Sequence, residues 1–283
     1  MPKFAANLHY LFTELPFLDR FAAAAQAGFR GVEFQVPYDH PGDELKARLD
    51  AHRLRMVLFD APMGDWSAGD RGLSAVPGRE AEFRAGLPEA AEYAKTLGCE
   101  LVHVMAGVIG PGVDYQEAER VYTDNLRYAA DFFKRHGVRV VIEPINRQLG
   151  NVAGGVSYTT EGMHDYFLNH TEDARRVIQK VGSDNLFLHL DAYHMQLLEG
   201  HLADTIRENI GILKHVQIAG VPGRHEPNVG EINFPYLFDL LDELGYEGWV
   251  GCEYRPLGKT IDGLSWAAQY GIGVQAVASV SQR

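Results

Sequence analysis

Eight short apolar runs recur along this chain, near 4–10, 31–36, 55–61, 100–106, 139–145, 186–192, 215–219 and 249–254. Many of them are rich in β-branched or aromatic residues and read as buried strands. Between them lie stretches such as FLDRFAAAAQAG, NLRYAADFFKRHG and EDARRVIQKVG, whose apolar residues repeat at helical spacing. Several of these stop at glycine, which takes the left-handed turn after a last helical residue most readily. Strand followed by helix, repeated to the end of the chain, is the pattern of a parallel sheet, because parallel neighbours need a crossover to return to the same edge. Eight such units fill a closed barrel. The expected fold is α/β, a single (β/α)8 TIM barrel spanning residues 1–283, a size ordinary for that architecture.

The barrel fixes where chemistry can sit. In such folds the carboxyl ends of the strands open into one mouth. Four polar residues stand at the downstream ends of successive late strands: Glu143 in VVIEPIN, Asp191 in LFLHLDAYHM, Gln217 in HVQIAG and Glu253 in WVGCEY. They are expected to converge. Two Glu, one Asp and one Gln make a hard, oxygen-rich set that suits Mg²⁺ or Mn²⁺. Carboxylates crowded together without a cation repel one another and resist desolvation, so a divalent metal is the economical reading. Any one of the four taken alone is also readable as a helix cap or half of a structural ion pair.

Such a site has a natural reaction. A metal that chelates a carbonyl oxygen and the adjacent hydroxyl acidifies the hydrogen between them, and Glu143 and Glu253 on opposite sides are expected to remove and return it. The result is isomerisation or epimerisation through an enediolate.

His194, three residues beyond Asp191, is read as a donor to a substrate oxygen, with a supporting hydrogen bond to a carboxylate as the other reading. Arg224, in the loop after the seventh strand, is read as a partner for a substrate carboxylate or hydroxyls, against a solvated loop residue. Asn7, His9, Glu33 and His103 are left with an undecided direction. His215 is expected outside the lumen, and His189 as a satisfied core residue.

Three connections exceed an ordinary turn: 60–79, 147–170 and 220–234. All follow a strand, so they lie on the mouth side, and Trp66, Tyr158 and Tyr166 mark the first two as candidates for a lid or for substrate contacts. A formal net charge of -12 disfavours nucleic acid and anionic membranes as partners, since their sequence-independent binding rests on surplus Lys and Arg. A small hydroxy-oxo acid or a sugar is the expected substrate. The opening MPKFAANLHYLFTEL lacks the layout of a signal peptide, no apolar run is long enough to span a bilayer, and the expected location is cytoplasmic. Cys99 and Cys252, both inside structured units, read as core thiols. The sequence leaves a homo-oligomer open.

The segments FAANLHYLFTELPFLDRFAAAAQAGFRGVEFQVPYD, GDWSAGDRGLSAVPGREAEFR, VVIEPIN, LDAYHMQLLEG, HVQIAG, GEINFPYLFDLL and GYEGWVGCEYRP together resemble the hydroxypyruvate isomerases, within the xylose-isomerase-like barrels that also include ketose 3-epimerases and apurinic-site endonucleases. The resemblance covers nearly the whole chain. It implies that Glu143, Asp191, Gln217 and Glu253 are metal ligands, that Glu143 and Glu253 are also the acid/base pair, and that hydroxypyruvate and tartronate semialdehyde are interconverted. The similar ketose epimerases generally carry His where Gln217 stands. Two departures bear on the substrate: RHEPNVGEIN replaces a Pro-Gly-Thr-Gly run after the seventh strand, and QLGNVAGGVSYTTEG is inserted after the fifth. A 2-oxo-tetronate isomerase and a ketose 3-epimerase are therefore alternatives. An apurinic-site endonuclease, which needs more His ligands and a basic face, and a metal-free binding barrel are the readings from other classes.

Overall fold

The computed structural model describes residues 1–147 and 163–274. Eight strands form a closed barrel in chain order: β1 (Lys3–Asn7), β2 (Gly31–Glu33), β3 (Arg55–Asp60), β4 (Leu101–His103), β5 (Arg139–Ile142), β6 (Leu186–Asp191), β7 (Leu213–Ile218) and β8 (Trp249–Cys252). Neighbours pair in parallel, and β8 closes on β1 with Ala5 opposite Gly251 and Ala6 opposite Cys252. The strands lie where the apolar runs placed them, but most stop earlier than their runs. At the carboxyl end the chain leaves the ladder, which releases the next side chains toward the mouth.

Outside the barrel run α1 (Arg20–Gln26), α2 (Gly42–His52), α3 (Glu80–Leu97), α4 (Tyr115–Lys134), α5 (Thr171–Val181), α6 (Ala192–Leu198), α7 (Leu202–Asn209) and α8 (Phe234–Glu243). Their apolar faces supply Phe21, Leu87, Leu126 and Phe133, all buried against the outer face of the sheet. Gly98 and Gly182 end α3 and α5 with positive φ, where a side chain would be strained. Asn185 ties three elements together by donating to Ala130 O at 3.1 Å and Val138 O at 2.8 Å. No helix of the described residues is long and apolar enough to cross a membrane.

Alternation with a period of two decides what fills the lumen. Leu58, Leu101 and Val141, with Phe187 against them, form a small apolar cluster separate from the main core. Two residues further along the same strands come Asp60, His103, Glu143 and His189, which therefore share that face and cap the cluster with polar groups. The same rule corrects the expectation for His215. It lies two residues before Gln217, on the same face, and its Nε2 stands 2.7 Å from Glu33 Oε2 inside the lumen.

Two elements are absent from the sequence reading. The short helix α6 begins directly at the end of β6, and a 3-10 run occupies Thr260–Tyr270 near the carboxyl end. Of the long connections, 60–79 holds a 3-10 turn at Trp66–Ala68 capped by Asp65. Trp66 is half exposed, with the Arg71 guanidinium 3.6 Å from its ring centre. Tyr166 is fully buried and accepts a hydrogen bond from Ala106 N at 2.8 Å. Tyr158 and the whole inserted segment, 148–162, lie outside the described residues.

Candidate active site

A cavity of about 610 Å³ opens at the carboxyl ends of the strands. Its lining includes Glu143, His194, Gln217, Arg224 and Glu253, five of the six residues singled out from the sequence. The sixth, Asp191, is fully buried beside them. It ends β6 and caps α6, its Oδ1 accepting Tyr193 N at 2.8 Å. That cap aims Oδ2 at the centre of the site, where His194 Nε2 lies 3.5 Å away and Arg224 Nη2 donates to it at 2.9 Å.

Arg224 reaches this point from an unusual backbone position. Its φ of 56° lies in the left-handed region, and the loop is pinned by Gly220 N to His225 O at 2.8 Å and by Arg255 N to Arg224 O at 2.6 Å. The guanidinium is 3% exposed and lies 5.0 Å from the ring centres of both Tyr10 and Tyr193. Nη2 also donates to Glu253 Oε2, and Nε donates to the Glu253 carbonyl at 3.1 Å. One cation thus bridges two of the four expected metal ligands.

Glu143 lies across the mouth among imidazoles. His189 Nδ1 is 3.6 Å from its Oε2, and His103 Nε2 and His194 Nε2 are each 3.9 Å from one of its oxygens. Burial pushes its carboxyl well above the usual range, and the charges of Asp191 and Glu253 push the same way. Glu253 is also raised by burial, against the pull of Arg224. His194 is held well below its ordinary value by burial and by Arg224, so it is neutral. Asn146 Nδ2 donates into His194 Nδ1 at 2.6 Å, which places the imidazole hydrogen on Nε2, facing Glu143 and Asp191.

The structure adds residues that the sequence left undecided. Asn7, His9, Glu33 and His103 all line the cavity, as do Gln35 and Asp60. Gln35 Nε2 donates to Glu253 Oε1, Asn7 Nδ2 donates to the same oxygen at 3.2 Å, and His9 Nδ1 pairs with Gln35 Oε1 at 2.6 Å. Asp60 Oδ1 lies 3.0 Å from His103 Nδ1 and fixes that ring. His189, expected as a satisfied core residue, instead lines the cavity, with the Gln217 side chain beside its ring. Strand alternation was the available signal: each of these side chains sits one pleat above a lumen residue or at a strand end.

Three findings from known proteins bear on this geometry. The family model described as xylose isomerase-like TIM barrel matches residues 21–270. The chain is 49% identical to a 2-oxo-tetronate isomerase of Cupriavidus necator, over 95% of this chain and 99% of that one, and 42% identical to a hydroxypyruvate isomerase of Escherichia coli, over 95% and 100%. It superposes with a TM-score of 0.89 on a crystal structure described as AP endonuclease, family 2 from Brucella melitensis, at 46% identity over 95% of this chain and 99% of that one. A whole-length match to named isomerases, on a closed eight-strand barrel with its polar residues gathered at one mouth, shows that the chain belongs to the xylose isomerase-like TIM barrel family and is an isomerase.

Proposed function

We propose that this isomerase acts on a short hydroxy-2-oxo acid, moving the carbonyl between C2 and C3, with hydroxypyruvate and tartronate semialdehyde as the basic pair. The observation that carries the reading is the arrangement of Glu143 and Glu253. Both are buried, both are raised in their affinity for a proton, and they stand one residue past the ends of β5 and β8, with Asp191 contacted by His194 and by Arg224. Groups so poised exchange protons with a substrate near neutral pH.

The donor set also fits a divalent cation. Among the described residues Glu143, Asp191 and Glu253 share the Arg224 guanidinium, so a further positive charge would offset the burial and the mutual repulsion that raise Glu143 and Glu253. Glu143, Asp191, Gln217 and Glu253 would hold Mg²⁺ or Mn²⁺, all through oxygen. The ion would draw electron density from the substrate carbonyl and the adjacent hydroxyl.

The remaining steps belong to the chain. One Glu removes the hydrogen on C3 of hydroxypyruvate and the electron pair forms the C2–C3 double bond of an enediolate. The other delivers a proton to C2, while the hydroxyl hydrogen moves from O3 to O2. His194 presents Nε2–H to a substrate oxygen. Arg224 braces Asp191 and Glu253 and faces the substrate carboxylate from the cavity wall.

One observation favours a second substrate. The cavity continues past the four donors to His9, Gln35, Asp39, Met63 and Trp66, more room than a three-carbon acid fills. The four-carbon acid 2-oxo-tetronate carries an added hydroxymethyl group on C3 that would enter this extension. The endonuclease named for the Brucella structure finds little support here. Among the described residues Arg224 is the one Lys or Arg lining the cavity, it is engaged by carboxylates, and the chain carries a charge of -12. We place the enzyme in the cytoplasm.

The test is turnover of hydroxypyruvate, 2-oxo-tetronate and a ketohexose by metal-stripped protein, with and without added Mn²⁺ or Mg²⁺. Metal-dependent conversion of either acid supports the proposal. Conversion of the ketohexose alone moves the substrate class, and full activity after stripping removes the metal from the account.

A further inference from the structure

Gln217 is the one neutral side chain among the proposed ligands, and an amide can present either its oxygen or its NH2 to an ion. We propose that Glu33 is the positioning residue that decides this, turning the Gln217 carbonyl oxygen toward the mouth. The proposal rests on the metal reading above.

Glu33 ends β2 and is 1% exposed. Its Oε1 accepts Gln217 Nε2 at 2.7 Å and Asn7 Nδ2 at 3.2 Å. Its Oε2 stands 2.7 Å from His215 Nε2, at an angle outside a hydrogen bond. In both contacts the amide NH2 donates and the carboxylate oxygen accepts. The two polar atoms of a planar amide lie on opposite arms. With its nitrogen on Glu33, Gln217 therefore carries its oxygen on the arm that faces away from Glu33, and the residue lines the cavity. Asn7 extends the same hub, because its Nδ2 also donates to Glu253.

The sheet makes room for this arrangement. Gly251 on β8 is the direct partner of Gln217 in the β7–β8 ladder, and a Cβ there would lie 2.2 Å from Glu33 Oε1. A glycine inside a strand weakens it, and here its absence of side chain is the space that Glu33 occupies. The pair also accounts for residue choice. A carboxylate at position 217 would confront the Glu33 carboxylate in a buried site, whereas an amide satisfies Glu33 and still supplies an oxygen.

The experiment measures Mn²⁺ affinity of the stripped, full-length protein by calorimetry and by electron paramagnetic resonance, for wild type, Glu33→Gln, Gln217→Glu and the double exchange. Orienting partners of ligands are worth about 10–100-fold in metal affinity, so Glu33→Gln, whose amide no longer compels Gln217 to offer its NH2, should bind Mn²⁺ weaker by up to about that factor, while Gln217→Glu, which sets two buried carboxylates against each other, is the reference for the double exchange. The double exchange reverses donor and acceptor but keeps the bond, and it should recover affinity to within a few-fold of wild type. Melting temperatures without metal are recorded alongside, since a purely structural role would lower melting in Glu33→Gln while the folded protein kept its affinity. Unchanged affinity in Glu33→Gln, or a double exchange as weak as the two losses combined, overturns the proposal while wild-type binding keeps the metal reading. No Mn²⁺ binding by wild type overturns both.

Discussion

Replacing Arg224 by Met in metal-free protein should destabilise the fold, and should do so more as pH rises. The guanidinium bridges Asp191 and Glu253 in a site from which water is nearly excluded, with Arg224 3%, Asp191 0% and Glu253 6% exposed. Removing one partner of a buried ion pair costs about 3–5 kcal/mol, against total stabilities of about 5–15 kcal/mol. For a chain of this size that is a fall in melting temperature of roughly 6–10 °C. The pH dependence follows from proton linkage. Glu143 and Glu253 are raised above 4.5 in the folded state, so the folded protein binds more protons than the unfolded chain, and both groups lower stability progressively as pH rises above 4.5. Arg224 opposes the rise at Glu253, and without it the loss extends to higher pH, by at most about 1.4 kcal/mol per pH unit for each proton. Taking the difference between variant and wild type cancels the surface carboxylates, such as Asp70 beside Arg79, whose lowered values act in the opposite sense. The assay is urea unfolding in the presence of chelator at about pH 5 and about pH 9. A difference that grows with pH, and shrinks when Mn²⁺ is added, is expected. A difference below about 1 kcal/mol, or one that is flat with pH, would refute the idea that Arg224 compensates buried charge in the empty site.

Three further outcomes follow from the same geometry. Glu143→Gln and Glu253→Gln should each lower kcat by about 10²–10⁴ while leaving the circular dichroism spectrum unchanged; Glu143→Gln should also raise the melting temperature of metal-free protein because one crowded carboxylate is gone, whereas Glu253→Gln should lower it because Arg224 loses a buried partner. Gly251→Ala should cost about 1–3 kcal/mol in chemical unfolding, because its Cβ meets a Glu33 side chain held by Gln217 and Asn7. Mn²⁺ binding near neutral pH should release protons as the raised carboxyls ionise, read by calorimetry in buffers of different ionisation enthalpy.

The barrel was legible because its strands are buried on both faces and advertise themselves as apolar runs, while the carboxyl-end residues are polar interruptions at their ends. The four proposed ligands were found by that interruption. What the sequence withheld depends on the third dimension. Arg224 was near Gln217 in the chain, yet it meets Asp191 and Glu253, because a left-handed turn folds the loop back over β8. Helix α6 was hidden because it starts without a linker, its cap being the same Asp191 that faces the site. His215 was misplaced although Gln217, two residues on, gives its face directly. Glu33, Asn7 and Gln35 carry no motif of their own. Their importance lies in hydrogen bonds to Gln217 and Glu253 from residues more than two hundred, or nearly two hundred, positions away.

Proton transfer at carbon is the step that Glu143 and Glu253 are proposed to perform. Wild-type protein loaded with Mg²⁺ and incubated with hydroxypyruvate in deuterium oxide should place solvent deuterium on C3 of recovered substrate and on C2 of product, followed by NMR, and Glu143→Gln and Glu253→Gln should abolish it. Product formed without solvent deuterium at carbon, or exchange that persists in both variants, would contradict an enediolate handled by this pair.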